Sequence, residues 1–218
     1  LHRVDRRQRQ MCIRDSNMCN GAPLTAAYTG QVAHLAHARG LRVHLDGARI
    51  FNAAAALETT ARELARDVDS VTFCLSKGLC APVGSLLCGE ADFIAEARRA
   101  RKVLGGGMRQ AGIIAAAGIV ALQQMTERLA EDHRRARRFA EGLAQIRGVE
   151  ITPVSTNILY FRLNGENVKS TAQVLDELAA RGVLLLGRLN NSFRAVTHYW
   201  ITDSDIERAI QAATEVLQ

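Results

Sequence analysis

Residues 41–49 read LRVHLDGAR, and residues 70–79 read SVTFCLSKGL. Each stretch contains a short run of aliphatic, β-branched or aromatic residues, which is typical of a buried strand. The first run ends on Asp46, and the second ends on Ser-Lys-Gly with Lys77 in the middle. Because open α/β folds bind ligands at the carboxyl ends of their strands, the two stretches predict an α/β fold with a ligand site at these strand ends.

The rest of the chain alternates between helical and strand patterns, which also indicates an α/β fold. Helices are predicted at 26–39, 59–66, 91–102, 110–124, 126–146 and 170–181 and from 203 onward, and further strands at 83–88, 149–152, 156–162, 183–186 and 193–197. We expect three parts: a leader at 1–16, a larger part at 17–135 and a small α/β domain at 136–218.

The leader, residues 1–16, reads LHRVDRRQRQMCIRDS and has no apolar periodicity. It resembles the translated adapter remnants found at the ends of fragmentary reading frames, and a disordered basic arm is the alternative. Its five arginines against two aspartates supply half of the net charge of +6. The basic balance of the chain therefore does not indicate a nucleic-acid partner.

Cysteine usage and hydropathy narrow the class of protein further. The five cysteines stand singly, without the C-x-x-C pairs of a zinc site, so we expect reduced thiols, no metal and a cytoplasmic protein. No apolar run is long enough to cross a membrane.

His133 falls on a charged helical pattern and is expected to be solvated.

A run of three glycines follows the third predicted helix, within RKVLGGGMRQ at 101–110. Glycines that open a helix expose backbone N–H groups, and the flanking cations suit an anion. A flexible turn between two helices explains the same pattern equally well. The sequence leaves both interpretations open.

Longer motifs in these regions match a known family. They are NGAPLT at 20–25, HLDGAR at 44–49, DGARIFNAA at 46–54, CLSKGL at 74–79, APVGS at 81–85, RKVLGGGMRQAG at 101–112, LAEDH at 129–133, TNI at 156–158 and RAVTH at 194–198. From about Asn17 to the C-terminus, their order and spacing resemble those of the low-specificity L-threonine aldolases. A slight departure occurs at Tyr199 and Trp200.

The resemblance implies the fold of the fold-type I enzymes that depend on pyridoxal 5'-phosphate (PLP). The chain would supply the C-terminal part of the large domain and the small C-terminal domain. Lys77 would form the covalent bond to the cofactor, and Asp46 would contact the pyridine nitrogen, where a carboxylate keeps that nitrogen protonated. Ser76 and Arg49 would also contact the cofactor. Without the resemblance, Asp46 followed by glycine often marks only a tight turn.

The resemblance also implies residues that bind the substrate. Arg49 and Arg194 would bind the substrate carboxylate, because a guanidinium group suits that planar anion. Lys102, Arg109 and His198 match further positions near the family's site, with roles left open. A lone histidine after a strand is more often structural than catalytic.

The implied reaction is the cleavage of L-threonine or L-allo-threonine, small β-hydroxy amino acids, to glycine and an aldehyde. The sequence gives neither the preferred aldehyde nor the threo/allo preference. The family is usually a homotetramer. Its phosphate loop and ring-stacking histidine have no counterpart here, so we expect a truncated chain that is inactive by itself. The alternatives are another fold-type I PLP lyase or desulfurase, and a non-catalytic fragment.

Overall fold

The computed structural model describes residues 10–13, 20–165 and 169–218, with the backbone alone at 10–13. The described residues divide into two compact units. Unit 1 holds 10–13 and 23–127, and unit 2 holds 20–22 and the described residues from 128 onward. The sequence pattern put the boundary after residue 135. The structure puts it after 127, because the helix that follows belongs to the core of unit 2.

Unit 1 is an α/β unit built on a four-stranded sheet, sheet A. Its elements are β1 (Gln10–Ile13), α1 (Ala26–His37), β2 (Val43–Asp46), α2 (Ile50–Ala56), α3 (Ala61–Leu64), β3 (Ser70–Cys74), β4 (Ser85–Gly89), α4 (Ala91–Val103) and α5 (Gly112–Gln124). The strand order is β1-β2-β3-β4. The first three strands are parallel and β4 is antiparallel to β3.

Two elements of unit 1 were not expected from the sequence. Residues 10–13 lie in the leader, for which no strand was predicted, but they pair with β2 as β1. A strand can be held by backbone hydrogen bonds to a neighbour, which side-chain periodicity does not report. Helix α2 was missed because its sequence, IFNAAAA, is short and mostly alanine. Thr60 caps α3, accepting a hydrogen bond from the Glu63 N–H at 3.1 Å.

Alternation along β2 gives sheet A an apolar face and a polar face. Val43 and Leu45 are fully buried, in contact with clusters of side chains from α1, α2 and α3. His44 and Asp46 point to the opposite side and are only half-buried. Burial of the apolar face holds the strand in this orientation, because a slip of one residue would exchange the two faces.

Asp69, directly before β3, connects β3 with α1 and β2 through hydrogen bonds. Its carboxylate accepts hydrogen bonds from the Val43 N–H at 2.7 Å, from Arg42 at 2.6 Å and from His37 at 2.8 Å. Burial by itself would raise the pKa of Asp69, but these hydrogen bonds outweigh it and lower the pKa to about 2. The ionised carboxylate therefore stabilises the folded unit.

Unit 2 is a second α/β unit, with an antiparallel sheet, sheet B. Its elements are α6 (Leu129–Leu143), β5 (Val149–Ile151), β6 (Ile158–Leu163), α7 (Thr171–Ala179), β7 (Leu186–Arg188), β8 (Ser192–Val196) and α8 (Asp203–Leu217). The strand order is β5-β6-β8-β7. Strand β7 begins three residues later than the sequence pattern predicted.

The core of unit 2 lies between one face of sheet B and its three helices. The strands contribute Leu159, Phe161, Leu163, Phe193 and Ala195, and the helices contribute Phe139, Leu143, Val174, Leu178, Ile206 and Val216. The rings of Phe161 and Phe193 stack across β6 and β8 with centroids 5.0 Å apart. The helices thus cover one face of sheet B, and the residues between these positions lie on the other face.

The start of α6 carries a buried ion pair. The carboxylate of Asp132 is fully buried and accepts two hydrogen bonds from Arg128, the shorter at 2.6 Å. The Thr197 hydroxyl donates to the backbone carbonyl of Asp132 at 2.6 Å. These contacts fix α6 to the segment that follows β8.

His133 is also buried, contrary to the expectation that it is solvated. It shares the buried side of α6 with Leu129, Ala136 and Ala140, at helical spacing, and only 3% of it is exposed. Burial, with a smaller contribution from the positive charge of Arg137, lowers the pKa of His133 to about 4. The charged pattern around it concealed its position on the apolar side.

We expect Asp69→Asn to lower the free energy of unfolding at pH 7 by about 1 kcal/mol, allowing for solvent screening of the exposed partners. The folded-state pKa lies below the ordinary 3.8, so the contribution is present above about pH 4 and lost as pH falls to about 2. Urea denaturation at several pH values measures this difference. Asp67→Asn is the control, since Asp67 contacts Arg66 at the surface. Equal effects of the two substitutions would contradict the role of Asp69.

We expect His133→Gln to abolish a pH dependence of stability between about pH 6.5 and pH 4. In that range the unfolded histidine binds a proton and the buried one does not, so wild-type stability falls as pH falls, by up to about 3 kcal/mol. Thermal unfolding across this range, compared with the exposed-histidine variant His34→Gln, measures it. A wild-type slope that persists in His133→Gln would show that other groups cause it.

Candidate active site

Asp46 ends β2 in a turn that orients its own side chain. Its Oδ1 accepts a hydrogen bond from the Ala48 N–H at 3.2 Å. The Gly47 N–H donates to the Thr72 carbonyl at 2.8 Å, which continues the pairing with β3. A Cβ on Gly47 would lie 3.1 Å from that carbonyl oxygen, so the close approach of the two strands requires glycine here. The carboxylate is half-buried.

Lys77 lies in a tight turn just after β3. The Cys80 N–H donates to the Lys77 carbonyl at 2.9 Å, and the Ala81 N–H donates to the Leu75 carbonyl at 3.0 Å. Leu75 and Leu79 are buried on either side of the lysine, and Lys77 itself is half-buried. The turn thus sets the backbone of Lys77 at the border between the core and solvent.

Asp46 and Lys77 stand at the same edge of sheet A. Strands β2 and β3 are adjacent and parallel, with Asp46 opposite Thr72 and β3 continuing to Cys74, so their carboxyl ends lie at the same end of the sheet. The predicted carboxylate and the predicted lysine are therefore on neighbouring strand ends. The structure brings these two predicted site residues to one place in unit 1.

The other two predicted cofactor contacts flank this edge. Arg49 is half-buried, immediately precedes α2 and comes three residues after Asp46. Ser76 is exposed and precedes Lys77. Both side chains belong to the same two turns.

His44 was not singled out by the sequence analysis, although it lies on the polar face of sheet A with Asp46. Its Nδ1 lies 2.9 Å from the Ser70 hydroxyl, and its Nε2 lies 3.4 Å from the Thr72 hydroxyl. Thr72 is also the residue opposite Asp46. The sequence VHLD of β2 could have indicated His44, because side chains two residues apart, such as those of His44 and Asp46, lie on the same face of a strand.

The glycine run does not open a helix. Helix α5 begins at Gly112, and the Gly105 and Gly106 N–H groups donate to the carbonyls of Lys102 and Arg101 at 3.1 and 2.8 Å. These bonds end α4 instead, as glycines commonly do at helix C-termini. Of the two interpretations, the turn between helices agrees with the structure. The candidate residues Lys102 and Arg109 are exposed beside this turn.

The remaining candidates, Arg194 and His198, belong to unit 2. Arg194 is half-buried at the centre of β8, opposite Tyr160 of β6. His198 follows β8, and its Nδ1 accepts a hydrogen bond from the Trp200 N–H at 3.3 Å. This bond puts the ring proton of a neutral His198 on Nε2.

Arg188 and Tyr160 form a pair beside Arg194 that sequence analysis missed. The Arg188 Nη1 donates to the Tyr160 hydroxyl at 3.3 Å, and its guanidinium carbon lies 5.3 Å from the ring centroid. Neither residue stands in a motif, and their proximity arises from strand pairing that the sequence does not display.

The residues that the structure describes contain neither a metal-binding cluster nor a membrane-spanning helix. No group of three or more histidine, cysteine, aspartate or glutamate side chains there is arranged to hold a metal ion. Likewise, none of the described helices has the length and apolar character needed to cross a membrane.

Sequence comparison gives close relatives. The chain is 37% identical over 212 residues to "Low-specificity L-threonine aldolase 1" of Arabidopsis thaliana, an alignment that covers 96% of this chain and 59% of the relative. It is 43% identical over 182 residues to "Low specificity L-threonine aldolase" of Escherichia coli K12, with 84% and 53% covered. The chain thus spans little more than half the length of these relatives.

Solved structures share the fold. A threonine aldolase of Leishmania major superposes with a TM-score of 0.77 at 17% identity, covering 97% of this chain and 61% of that one. An alpha-aminoadipate aminotransferase of Thermus thermophilus, complexed with N-(5'-phosphopyridoxyl)-L-leucine, superposes with a TM-score of 0.69 at 14% identity, covering 95% and 58%. The fold expected from the sequence, that of the fold-type I PLP enzymes, is confirmed.

The family profile described as "Beta-eliminating lyase" matches residues 3–165, which include Asp46, Lys77 and most of the leader. The matched range is about three quarters of the chain and extends through both strand-end turns of unit 1. On this match, the chain belongs to the beta-eliminating lyase family.

Proposed function

We propose that the protein is a PLP-dependent aldolase that cleaves L-threonine or L-allo-threonine to glycine and acetaldehyde. One observation carries the proposal: a half-buried carboxylate, Asp46, and a half-buried amine, Lys77, stand at neighbouring strand ends of one sheet edge. The relatives named as threonine aldolases support the choice of substrate.

The donor groups fit PLP chemically. The cofactor needs an amine for covalent attachment and a carboxylate for its pyridine nitrogen, and when bound it supplies a ring that draws electrons from the bond being broken. Lys77 provides the amine. Asp46 provides the carboxylate, and the Ala48 N–H holds one of its oxygens in place.

Further residues of this chain have roles in the proposal. Arg49 contacts the cofactor and the substrate carboxylate, and Arg194 binds that carboxylate through its planar guanidinium group. Ser76 contacts the cofactor beside Lys77. Lys102, Arg109 and His198 remain secondary candidates, since their described surroundings do not distinguish a role at the site.

The main alternative is a different reaction on the same fold. A cysteine desulfurase of Escherichia coli superposes with a TM-score of 0.68 at 17% identity, so the fold is common to both reactions. The aldolase motifs around Asp46 and Lys77 and the 37% and 43% identities favour the aldolase. The proposal also includes a cytoplasmic homotetramer, which rests on the sequence resemblance.

The attachment site can be tested directly, because the chain has only three lysines: Lys77, Lys102 and Lys169. We expect that borohydride reduction in the presence of PLP attaches the cofactor mainly to Lys77, because this amine alone lies in the sheet-edge turn. Mass spectrometry of the peptides measures the labelled fraction of each lysine.

Lys77→Ala is expected to remove this labelling, and Lys169→Ala is the matched control, since Lys169 contacts Glu177 at the surface. Equal labelling of all three lysines in the wild type, or labelling of Lys77→Ala at the wild-type level, would contradict the assignment.

Asp46→Asn separates cofactor attachment from catalysis. We expect labelling of Lys77 to persist in this variant, since the amine is intact, while kcat for threonine cleavage falls at least about a hundredfold because the ring nitrogen loses its carboxylate. Coupled detection of acetaldehyde measures the rate. Asp67→Asn, in the same unit, is the control, and a rate in Asp46→Asn within about threefold of wild type would contradict the role of Asp46.

A further inference from the structure

The face of sheet B that unit 2's helices leave uncovered carries a concentration of positive charge. Tyr160 pairs with Arg194, and Arg162 alternates with Tyr160 along β6. Arg188 pairs with Ser192, which alternates with Arg194 along β8, so all four residues lie on this face. Within the four strands of sheet B the one carboxylate is Glu150, which lies opposite Arg162. The end of the face toward β7 therefore holds two arginines and no strand carboxylate.

Arg188 reaches across a whole strand of this face. It stands on β7 opposite Ser192 of β8, yet its guanidinium group contacts Tyr160 on β6, the strand beyond. Arg194 lies on β8 between these two strands and is the register partner of Tyr160. Arg188 therefore contacts Tyr160 through its guanidinium group, and Arg194 stands beside Tyr160 on the adjacent strand, with strands about 4.8 Å apart.

By register Arg188 and Arg194 are diagonal neighbours on adjacent strands of one face, near enough for long side chains to act on the same ligand. Their like charges repel each other, and an anion bound by both offsets that repulsion. Each group can bind a carboxylate through two parallel hydrogen bonds. The Tyr160 hydroxyl, which accepts from Arg188, keeps the second guanidinium group oriented. The arrangement suits a small molecule with two carboxylates rather than one.

We propose that Arg188 determines substrate specificity by binding a second carboxylate while Arg194 binds the α-carboxylate, so that the protein accepts β-hydroxy amino acids with an anionic side chain. The inference rests on the proposed function and deepens it. Its simplest substrate is 3-hydroxyaspartate, in which a carboxylate replaces the methyl group of threonine.

The cleavage of this substrate balances without a further reactant. The Cα–Cβ bond breaks, the β-hydroxyl group loses its proton and becomes the aldehyde oxygen of glyoxylate, and Cα gains a proton to give glycine. No oxidant or reductant takes part. The reaction is the same retro-aldol cleavage as for threonine, with glyoxylate leaving instead of acetaldehyde.

A binding experiment tests the site without requiring activity. The probes are succinate, which has two carboxylates, and propionate, which has one, at matched ionic strength. Because a ligand that binds the folded state raises the unfolding midpoint, we expect succinate to raise the wild-type midpoint more than propionate does. In Arg188→Met the two probes should act equally.

Two further variants keep this result interpretable. Arg181→Met removes an exposed arginine that contacts Glu215 on the helical side of unit 2, and it should respond to succinate as the wild type does. Arg188→Lys keeps the charge but not the bidentate geometry, and its response should be intermediate. A succinate effect that survives in Arg188→Met, or that is no larger than the propionate effect in the wild type, would overturn the inference.

Kinetics provide the second measurement. We expect Arg188→Met to lower kcat/KM for 3-hydroxyaspartate about tenfold or more relative to kcat/KM for threonine, since loss of one bound carboxylate contact has that order of effect. An unchanged ratio would overturn the specificity role. If the wild type cleaves neither substrate, as expected of a chain that is inactive by itself, the succinate experiment alone decides the second-carboxylate site.

Discussion

The parallel pairing of β2 with β3 determines where the reactive groups of unit 1 stand. Because Asp46 lies opposite Thr72 and β3 ends at Cys74, the two strands end at the same end of the sheet and the lysine turn follows there. The close contact of Gly47 with the Thr72 carbonyl and the burial of Leu45 both hold this register. A shift of one residue would turn the carboxylate toward the helices, where its charge would be unsolvated.

Much of this architecture could be predicted from local patterns. The observed strand at 70–74 and the observed helices at 91–103 and 112–124 were predicted to within a few residues. Each of these elements is indicated by a few consecutive residues. Examples are a run of β-branched residues in a strand, or a capping residue before apolar residues at helical spacing. The charged residues at the strand ends could be predicted from the sequence for the same reason.

Other features depend on residues far apart in the chain. The burial of His133 follows from the packing of α6 on sheet B, and the Arg188–Tyr160 pair follows from the order β6-β8-β7. The glycine run was ambiguous because the same N–H groups can bind an anion or end a helix, and only the carbonyls of α4 decide between them. Periodicity describes which side of an element is apolar, not which partner that side meets.

The turn at Asp46 is complete in three residues, since the Ala48 N–H that orients the carboxylate comes from the same short segment. Such a turn orients the carboxylate through its own backbone rather than through a partner side chain, so this acceptor keeps its direction when neighbouring side chains change. Fold similarity at 14% identity shows how widely the sequence around a conserved backbone architecture can vary.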